Sequence, residues 1–526
     1  MKQRPHLLKV LRVIPAIFFF VPLLFFFLDF TDLLPDLLHR FAKIQLIPAI
    51  LNGMFLYAGV MLLLTFLFGR LYCSVICPAG ILQDIINRIF CIGKKKNKGI
   101  RRFRYHKPLN GLRYLLLILT AGLGLAGFMG LCLYLDPYSN FGRIAANLFR
   151  PVLAGVNNVL ADMLMQSGNY SLYHVANNTF TVSSLIVAGV MLLVFAVMTA
   201  LRGRLFCNTL CPAGAFLSLF SRYSVFGIAI KQDTCTQCKT CERTCKAEAI
   251  HAAEMKVDMS RCVNCFNCIS SCRKDSLSYT LRPSWIKAKK KNGKKTGEKS
   301  ADIPKNNTRR AFIAGSAGIA AALPLAVIRA KQNQTNKPEG RSALPVTPPG
   351  AFNLERFKDK CTACHLCVTQ CPSNVLKPAG LTYGFGYMLK PYMSYKDSYC
   401  NYECTVCSEI CPTQAIRPIT VEEKKTVQIG IAQFNMDLCI VKTENTDCGA
   451  CSEHCPTQAV HMIPYEGTLT IPKVEPELCV GCGGCESICP VRPYRAIIIE
   501  ANETHLEAQK PKEEEALDVD VNDFGF

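Results

Sequence analysis

Cysteine spacing is the feature that most restricts what this chain can fold into. The chain has 526 residues and 30 cysteines, and six groups of four share one pattern, three closely spaced thiols with a fourth nearby. Disulfides need only an even number of cysteines, whereas repeated Cys-x-x-Cys-x-x-Cys spacing is typical of thiolates that surround one face of an iron–sulfur cube. The sequence therefore predicts six [4Fe–4S] clusters.

Two of the groups follow one another in the middle of the chain. In two-cluster ferredoxins the fourth cysteine of each run binds the other cluster, so the two ligand sets interleave. A structural zinc site takes its four ligands without such interleaving. One predicted ligand set is Cys235, Cys238, Cys241 and Cys272, and the other is Cys262, Cys265, Cys268 and Cys245. The proline that usually follows the fourth cysteine is replaced by Lys246 and Arg273. A cation there is expected to raise a cluster potential by stabilising the reduced state.

The other four groups lie near the C-terminus, and each ends in Cys-Pro. Their members are Cys361, Cys364, Cys367 and Cys371; Cys400, Cys404, Cys407 and Cys411; Cys439, Cys448, Cys451 and Cys455; and Cys479, Cys482, Cys485 and Cys489. The run CTACH, which ends at His365, also matches a covalent haem c motif. Because Cys367 and Cys371 complete the ferredoxin spacing, we interpret His365 as a solvated loop residue instead.

A second cysteine pattern is duplicated in the N-terminal half. GRLYCSVICPAG at 69–80 returns as GRLFCNTLCPAG at 203–214, and each copy follows an apolar run. If a helix persists to the proline, the i,i+4 thiols share one helix face. We expect Cys73, Cys77, Cys207 and Cys211 to converge on one metal or iron–sulfur centre, with a dithiol–disulfide pair or simple packing as the alternatives. The remaining Cys91 and Cys132 are interpreted as small apolar residues.

Five apolar runs are long enough to cross a bilayer. They are Leu11 to Leu28, Leu46 to Phe68, Leu112 to Leu135, Val182 to Leu201 and Ala311 to Ile328. The net charge of +21 is concentrated in basic runs beside these segments, which is typical of cytoplasmic loops and not of a nucleic-acid surface. This predicts a multi-pass protein of the bacterial inner membrane, with both duplicated motifs at the cytoplasmic face. Residues 136–180 and everything after Lys331 are then outside, in the periplasm.

The fifth apolar run begins with the basic sequence TRRAFIAG. Arg309 and Arg310 either anchor this helix from the cytoplasm or form a twin-arginine export signal, which moves folded proteins. Because thiols outside the cytoplasm are readily oxidised, clusters are best inserted before export, and this favours the export signal.

These observations predict a multi-domain fold. A four-helix membrane domain with a duplicated helix pair is followed by a cytoplasmic two-cluster ferredoxin-like domain, a fifth membrane helix and a periplasmic four-cluster ferredoxin-like α+β domain. The predicted boundaries are 1–230 for the membrane domain, 231–283 for the two-cluster domain, 284–310 for a basic linker, 311–330 for the fifth helix, 331–350 for a linker, 351–505 for the four-cluster domain and 506–526 for an acidic tail.

The N-terminal part, with its duplicated Cys-x-x-x-Cys-Pro and two-cluster domain, resembles NapH of the quinol dehydrogenases and membrane ferredoxins of the NosR type. The part after Thr308 resembles their exported four-cluster partner, NapG. The resemblance implies that a membrane quinol such as menaquinol is oxidised and that electrons pass through the clusters to a periplasmic acceptor, such as a terminal reductase of anaerobic respiration.

Three residues near the predicted outer level are candidates for a quinol site, namely His39, Asp136 and Tyr138. Two other functions remain open: reduction or insertion of a metal such as copper during maturation of a respiratory enzyme, and entry of cytoplasmic ferredoxin electrons into the membrane. Ion coupling is disfavoured, since acidic residues lie at the ends of the apolar runs.

Overall fold

The computed structural model describes residues 7–29, 40–90, 103–126, 129–175, 181–282 and 342–510. Several predictions fall outside these residues, namely the fifth helix at 311–330, Arg309 and Arg310, His39, Cys91, the basic linker and the acidic residues from Glu513 onward.

Helices are the only regular secondary structure in the described part of the N-terminal region, up to Ser221. Its helices are α1 (Leu7–Leu28), α2 (Arg40–Lys43), α3 (Leu46–Leu51), α4 (Phe55–Phe68), α5 (Tyr72–Val75), α6 (Pro78–Ile89), α7 (Asn110–Leu125), α8 (Gly130–Leu135), α9 (Pro137–Ile144), α10 (Arg150–Gln166), α11 (Val182–Arg202), α12 (Leu205–Thr209) and α13 (Pro212–Ser221), with a π-helical turn at Ala145–Phe149. We call this region the helical domain.

Among the described residues, two helices, α1 and α11, are long and apolar enough to cross a membrane. Their outward faces carry exposed large apolar side chains such as Ile14 and Ile186, as expected for helices in contact with lipid. The predicted run from Leu46 to Phe68 is instead divided between α3 and α4, because Gly53 adopts a left-handed backbone with φ of 76°. The run from Leu112 to Leu135 is likewise divided between α7 and α8.

Residues 136–180, predicted to lie in the periplasm, contain two helices in their described part, α9 and α10. All eight residues of α9 are buried, and this helix packs against α6 and α11. Asp136 caps it by accepting hydrogen bonds from the backbone N–H groups of Tyr138 and Ser139, which are otherwise unpaired at a helix start. The following α10 has a largely exposed apolar face that includes Val152 and Met163.

The two-cluster domain is a small α+β unit. Strand β1 (Phe226–Ile230) pairs antiparallel with β4 (Leu277–Leu281), and β2 (Ile250–His251) pairs with β3 (Lys256–Val257). Short helices α14 (Thr240–Thr244) and α15 (Asn267–Ser271) each end at a cysteine of the repeated groups. Because β1 is part of this unit, the domain begins a few residues before the predicted boundary at 231.

The C-terminal domain combines short helices with two-stranded antiparallel sheets. Its elements are α16 (Leu354–Lys360), α17 (Leu366–Thr369), β5 (Leu376–Pro378), β6 (Pro391–Met393), α18 (Val406–Ile410), α19 (Val421–Thr426), β7 (Val427–Phe434), α20 (Ile440–Thr443), α21 (Ala450–Glu453), β8 (Val460–Pro464), β9 (Thr470–Val474), α22 (Gly484–Ile488) and β10 (Ile497–Glu507).

This domain is longer than predicted at both ends. Val346 is buried, and its carbonyl accepts a hydrogen bond from Met393 N. Strand β10 pairs with β7 as far as Glu507, and Ala508 is buried beyond it. The second half of the predicted linker 331–350 and the first residues of the predicted tail therefore belong to the folded domain.

Candidate iron–sulfur centres and the contacts between them

The first pair of interleaved cysteine sets lies in the two-cluster domain. A cavity of about 330 Å³ is lined by Cys235, Cys238, Cys241 and Cys272, a volume of roughly ten waters. Cys245 lies close enough to Cys262, Cys265 and Cys268 for their charges to interact. The fourth cysteine of each run thus lies with the other run. These thiols are the right donors for two [4Fe–4S] clusters.

The sixteen cysteines of the C-terminal domain also interleave. Electrostatic contacts between thiols group them into four sets, which we name by letter. Set A is Cys361, Cys364, Cys367 and Cys411; set B is Cys371, Cys400, Cys404 and Cys407; set C is Cys439, Cys448, Cys451 and Cys489; and set D is Cys455, Cys479, Cys482 and Cys485. The cysteine before each proline joins a neighbouring run, as in two-cluster ferredoxins.

The four sets stand in the spatial order A, B, D, C. Cys367 of set A lies near Cys407 of set B. Set B meets set D where Cys400 N donates a hydrogen bond of 2.9 Å to Cys482 O. Tyr395 packs between these two sets, and its hydroxyl donates to Gly481 O at 2.7 Å.

The last step in this order joins sets D and C. Cys485 of set D lies near Cys451 of set C. A cavity beyond this contact is lined by all four thiols of set C. Set C therefore follows set D and ends the row.

The duplicated motifs hold one another reciprocally. Arg70 Nη2 donates to Cys207 O at 3.0 Å, and Arg204 Nη1 donates to Cys73 O at 2.7 Å. A Cβ on Gly80 would overlap Cys73 O and Arg204, and one on Gly214 would overlap Cys207 O and Arg70. Both copies of the motif therefore need glycine here, so that each arginine can reach the other copy.

The four motif thiols are brought together, although not on continuous helices. Cys73, Cys77, Cys207 and Cys211 are 2% to 4% exposed and free of disulfides, and Cys77 lies near Cys73 and Cys207. The condition of a helix that persists to the proline is not met, because Cys77 and Cys211 are extended residues that cap new helices, α6 and α13. Gly214 N donates to the Cys211 sulfur at 3.3 Å. Among the described residues, no three His, Cys, Asp or Glu side chains are grouped tightly enough for a single metal ion.

A charged network joins the helical domain to the two-cluster domain. Asp84 Oδ2 on α6 lies 2.5 Å from Lys246 Nζ, 2.8 Å from Arg204 Nη2 and 3.2 Å from Arg12 Nη1. These cations hold the pKa of Asp84 well below its usual range despite the opposing effect of burial. Lys246 shares this one carboxylate with two arginines, so the network keeps a net positive charge, and the effect of Lys246 on a cluster potential stays a prediction.

The C-terminal domain contacts the helical domain through set A. Gln370 Nε2 donates to Phe26 O at 2.6 Å at the end of α1, and a Cβ on Gly142 would overlap Cys364 O. Asp136 and Tyr138 are each 1% exposed at this contact. Their predicted neighbour His39 lies outside the described residues. The Tyr138 hydroxyl faces the Cys364 thiol.

His365 is not a solvated loop residue, as the sequence interpretation had it. Its ring is 1% exposed, with Nε2 2.9 Å from Leu389 O and Nδ1 3.0 Å from Asn147 Nδ2. Since a carbonyl only accepts, Nε2 carries the proton and Nδ1 accepts from Asn147. Burial, together with nearby Arg143, lowers the pKa of His365 to about 3. The neutral ring therefore fastens the C-terminal domain to the helical domain.

Sequence reasoning missed the buried arginines. Arg70 and Arg204, which precede the two duplicated cysteine motifs, are 0% and 1% exposed. Arg113 and Arg143 are also fully buried. The sequence did contain a signal for this burial, namely the Gly-Arg pair that precedes both Cys-x-x-x-Cys-Pro motifs. An arginine that only sets membrane orientation can occupy any position near a helix end, so its repeated position after glycine indicates a structural role.

Family models for 4Fe-4S domains match several stretches of the chain. A model described as a 4Fe-4S binding domain matches residues 53–99 and again 185–231, which include both duplicated motifs. Two models described as 4Fe-4S dicluster domains match residues 258–375 and 445–492. No solved structure matches the chain.

Several curated proteins are similar to parts of the chain. An uncharacterised protein of Methanocaldococcus jannaschii is 30% identical over 278 residues, which cover 52% of this chain and 96% of that protein. The ferredoxin-type protein NapG of Escherichia coli is 29% identical over 203 residues, or 35% of this chain and 82% of NapG. The methylamine utilization ferredoxin-type protein MauM of Methylobacillus flagellatus is 29% identical over 154 residues, or 28% of this chain and 65% of MauM.

Proposed function

Because this chain belongs to the Nap-type ferredoxin family of [4Fe–4S] electron-transfer proteins, we propose that it oxidises a membrane quinol and delivers the electrons to an acceptor outside the cytoplasm. In this proposal a NapH-like membrane part and a NapG-like part are fused on one chain, and both are used in one electron path.

One observation carries the proposal, namely that both cluster-bearing domains contact opposite ends of α1. At one end Arg12 pairs with Asp84, which also binds Lys246 of the two-cluster domain. At the other end Phe26 O accepts from Gln370 of the C-terminal domain. Phe26 lies fourteen helical steps after Arg12 on α1, a rise of about 21 Å. A protein that exchanges electrons with a carrier dissolved in the membrane requires a helical layer of this depth between its two iron–sulfur domains.

The contact at set A supplies groups suited to a quinol. Asp136 accepts three hydrogen bonds, from Tyr138 N at 3.3 Å, Ser139 N at 2.9 Å and Ser139 Oγ at 2.5 Å. A carboxylate has about four lone-pair sites, so one site on Oδ1 remains for a quinol proton. We propose that Asp136 accepts that proton and that Tyr138 orients the quinol beside Cys364. A cluster bound by set A would supply one-electron chemistry there.

The remaining thiols complete the proposed cofactor content. Six cysteine sets would hold six [4Fe–4S] clusters, roughly 24 iron atoms from six cubes of four. We propose that the four motif thiols form a further iron–sulfur or dithiol redox site between the helical and two-cluster domains. Their burial and the 4Fe-4S binding-domain matches over both copies support this.

The proposed location is the bacterial inner membrane, with the two-cluster domain in the cytoplasm and the C-terminal domain in the periplasm. The apolar exposed faces of α1 and α11 support membrane insertion. Protease added to intact spheroplasts is expected to remove the C-terminal domain while leaving residues 226–282 protected. Protection of both domains until lysis would contradict this orientation.

The quinol step is tested with the whole chain, purified anaerobically and placed in proteoliposomes. A menaquinol analogue is expected to bleach the iron–sulfur absorbance, and Tyr138→Phe is expected to slow this about tenfold, as loss of an orienting contact does. Tyr170→Phe, at an exposed tyrosine, is the matched control and should react normally. If quinol leaves the wild-type clusters oxidised while a copper or ferredoxin donor reacts readily, one of the other functions replaces this one.

A further inference from the structure

The row of cysteine sets in the C-terminal domain has two distinct ends. Set A lies against the helical domain, where Gly142 packs on Cys364 O. Set C lies at the other end, beyond set D, and the cavity that its four thiols line is bordered by Val491 and Ile440. The third cysteine group in sequence, and not the fourth, therefore contributes most of the distal end of the row.

The distal end carries the one spacing anomaly among the six groups. Eight residues separate Cys439 from Cys448, whereas two or three separate the first two cysteines of every other group. The extra residues form a segment, 442–447, in which all six residues are exposed. We call it the set C loop. Ligation of a cluster does not require this insertion, because three sister groups of the same domain lack it.

We propose that set C is the electron exit of this protein and that a soluble one-electron acceptor with a basic face docks on the set C loop. The inference rests on the proposed function, in which electrons enter at set A. Each docking event would move one electron from the reduced chain to the acceptor's oxidised metal centre. No bond or proton is transferred in that step.

The charges around set C indicate the character of the partner. Glu444, Asp447 and Glu453 are exposed, and Lys442 is neutralised by Asp437 at 2.5 Å. The opposing cations, Arg492 and Arg495, both lie at Cys489 on the other rim and donate to Cys489 O. The loop side is therefore acidic. An acidic rim beside a redox centre steers a basic protein toward it and raises the association rate at low ionic strength.

The experiment uses the whole chain, reduced chemically with dithionite so that the quinol step is bypassed, and a basic cytochrome c as the probe. The test variant is Glu444→Lys/Asp447→Lys. The matched control is Glu503→Lys/Glu507→Lys, which makes the same charge change at exposed residues of β10. Both residues lie in the second half of that strand, whereas its first residue, Ile497, lies near set C. We expect the second-order rate of cytochrome reduction to fall about tenfold in the test variant and less than twofold in the control.

A second readout does not depend on electron transfer. Bound cytochrome c is expected to protect the backbone amides of the set C loop from hydrogen exchange, and this protection should disappear at about 1 M salt, where the Debye length is roughly 3 Å. Equal rates in both variants, or protection confined to residues around Cys361, would overturn the proposal. Failure of quinol to reduce the chain would overturn the proposed function instead and leave this result unchanged.

Discussion

Lys246 and Asp84 form a 2.5 Å ion pair that joins the two-cluster domain to α6 of the helical domain. Lys246 stands where ferredoxins of this spacing usually have proline after the fourth cysteine. Its side chain is 6% exposed and shares Asp84 with Arg204 and Arg12. The departure from the usual pattern therefore has a structural reason, because the residue fastens the two-cluster domain to the helical domain.

Removing the shared anion is expected to separate the two domains. In Asp84→Asn, the buried cations of Arg204 and Lys246 lose their partner, a change that costs about 3 kcal/mol or more when a buried pair is broken. We expect lower thermal stability and faster trypsin cleavage between the domains. Asp162→Asn, at an exposed pair with His174, is the control and should change little. Equal stability of both variants would show that the network does not hold the domains together.

The contact between set A and the helical domain is tested by substituting Gly142, which lies in it. A Cβ in Gly142→Ala would overlap Cys364 O and the ring of Phe27, whereas Gly155→Ala on α10 meets no atom within 4 Å. We expect Gly142→Ala to slow the reduction by quinol of the clusters in the C-terminal domain, while the iron content of the protein stays unchanged. Gly155→Ala should be neutral or slightly stabilising, as in other helix interiors. Normal transfer in Gly142→Ala would place the entry point elsewhere.

The motif thiols are tested by a substitution that spares their capping role. Cys77 and Cys211 begin α6 and α13, and serine is a favourable residue at that position. Cys77→Ser/Cys211→Ser should therefore fold, and we expect it to lose turnover while the spectra of the six clusters persist. The measurement is quinol turnover together with low-temperature EPR. Full activity would assign these thiols to packing and capping alone.

A pH dependence is expected from His505 on β10. Burial lowers the pKa of His505 to about 4, below the usual value near 6.5. Between these values the unfolded chain binds more protons than the folded chain, so stability falls as the pH drops from 6.5 to 4 and is fully present above 6.5. The slope should reach about 1.4 kcal/mol per pH unit. In His505→Asn, unfolding curves from pH 7 to 4 should lose that slope. An unchanged slope would assign it to other groups.

The sequence predicted [4Fe–4S] clusters, which the family matches support, but it did not predict much of the helical packing. Spacing alone indicated that Cys245 and Cys272 exchange partners, and the structure places them so, because ligand spacing follows from the dimensions of a cluster. Burial of His365 and α9 was not predictable from local pattern, and the repeated Gly-Arg was the one local signal for burial of Arg70. Each depends on a partner far away in the chain, such as Cys207 for Arg70 and Asn147 for His365. The division of one apolar run into α3 and α4 at Gly53 was likewise not predictable, since a single glycine does not by itself end an apolar run.

The most direct test of the account is EPR of the whole chain in anaerobic proteoliposomes after one addition of a menaquinol analogue, comparing wild type with Cys364→Ser. Cys364 belongs to set A and lies against Tyr138. The account predicts reduced [4Fe–4S] signals from the C-terminal domain in wild type. In Cys364→Ser it predicts that sets B, C and D keep their iron, accept electrons from dithionite, and stay oxidised with quinol. Reduction of those sets by quinol at the wild-type rate in Cys364→Ser would contradict entry at set A, and the absence of any reduction in wild type would contradict quinol oxidation itself.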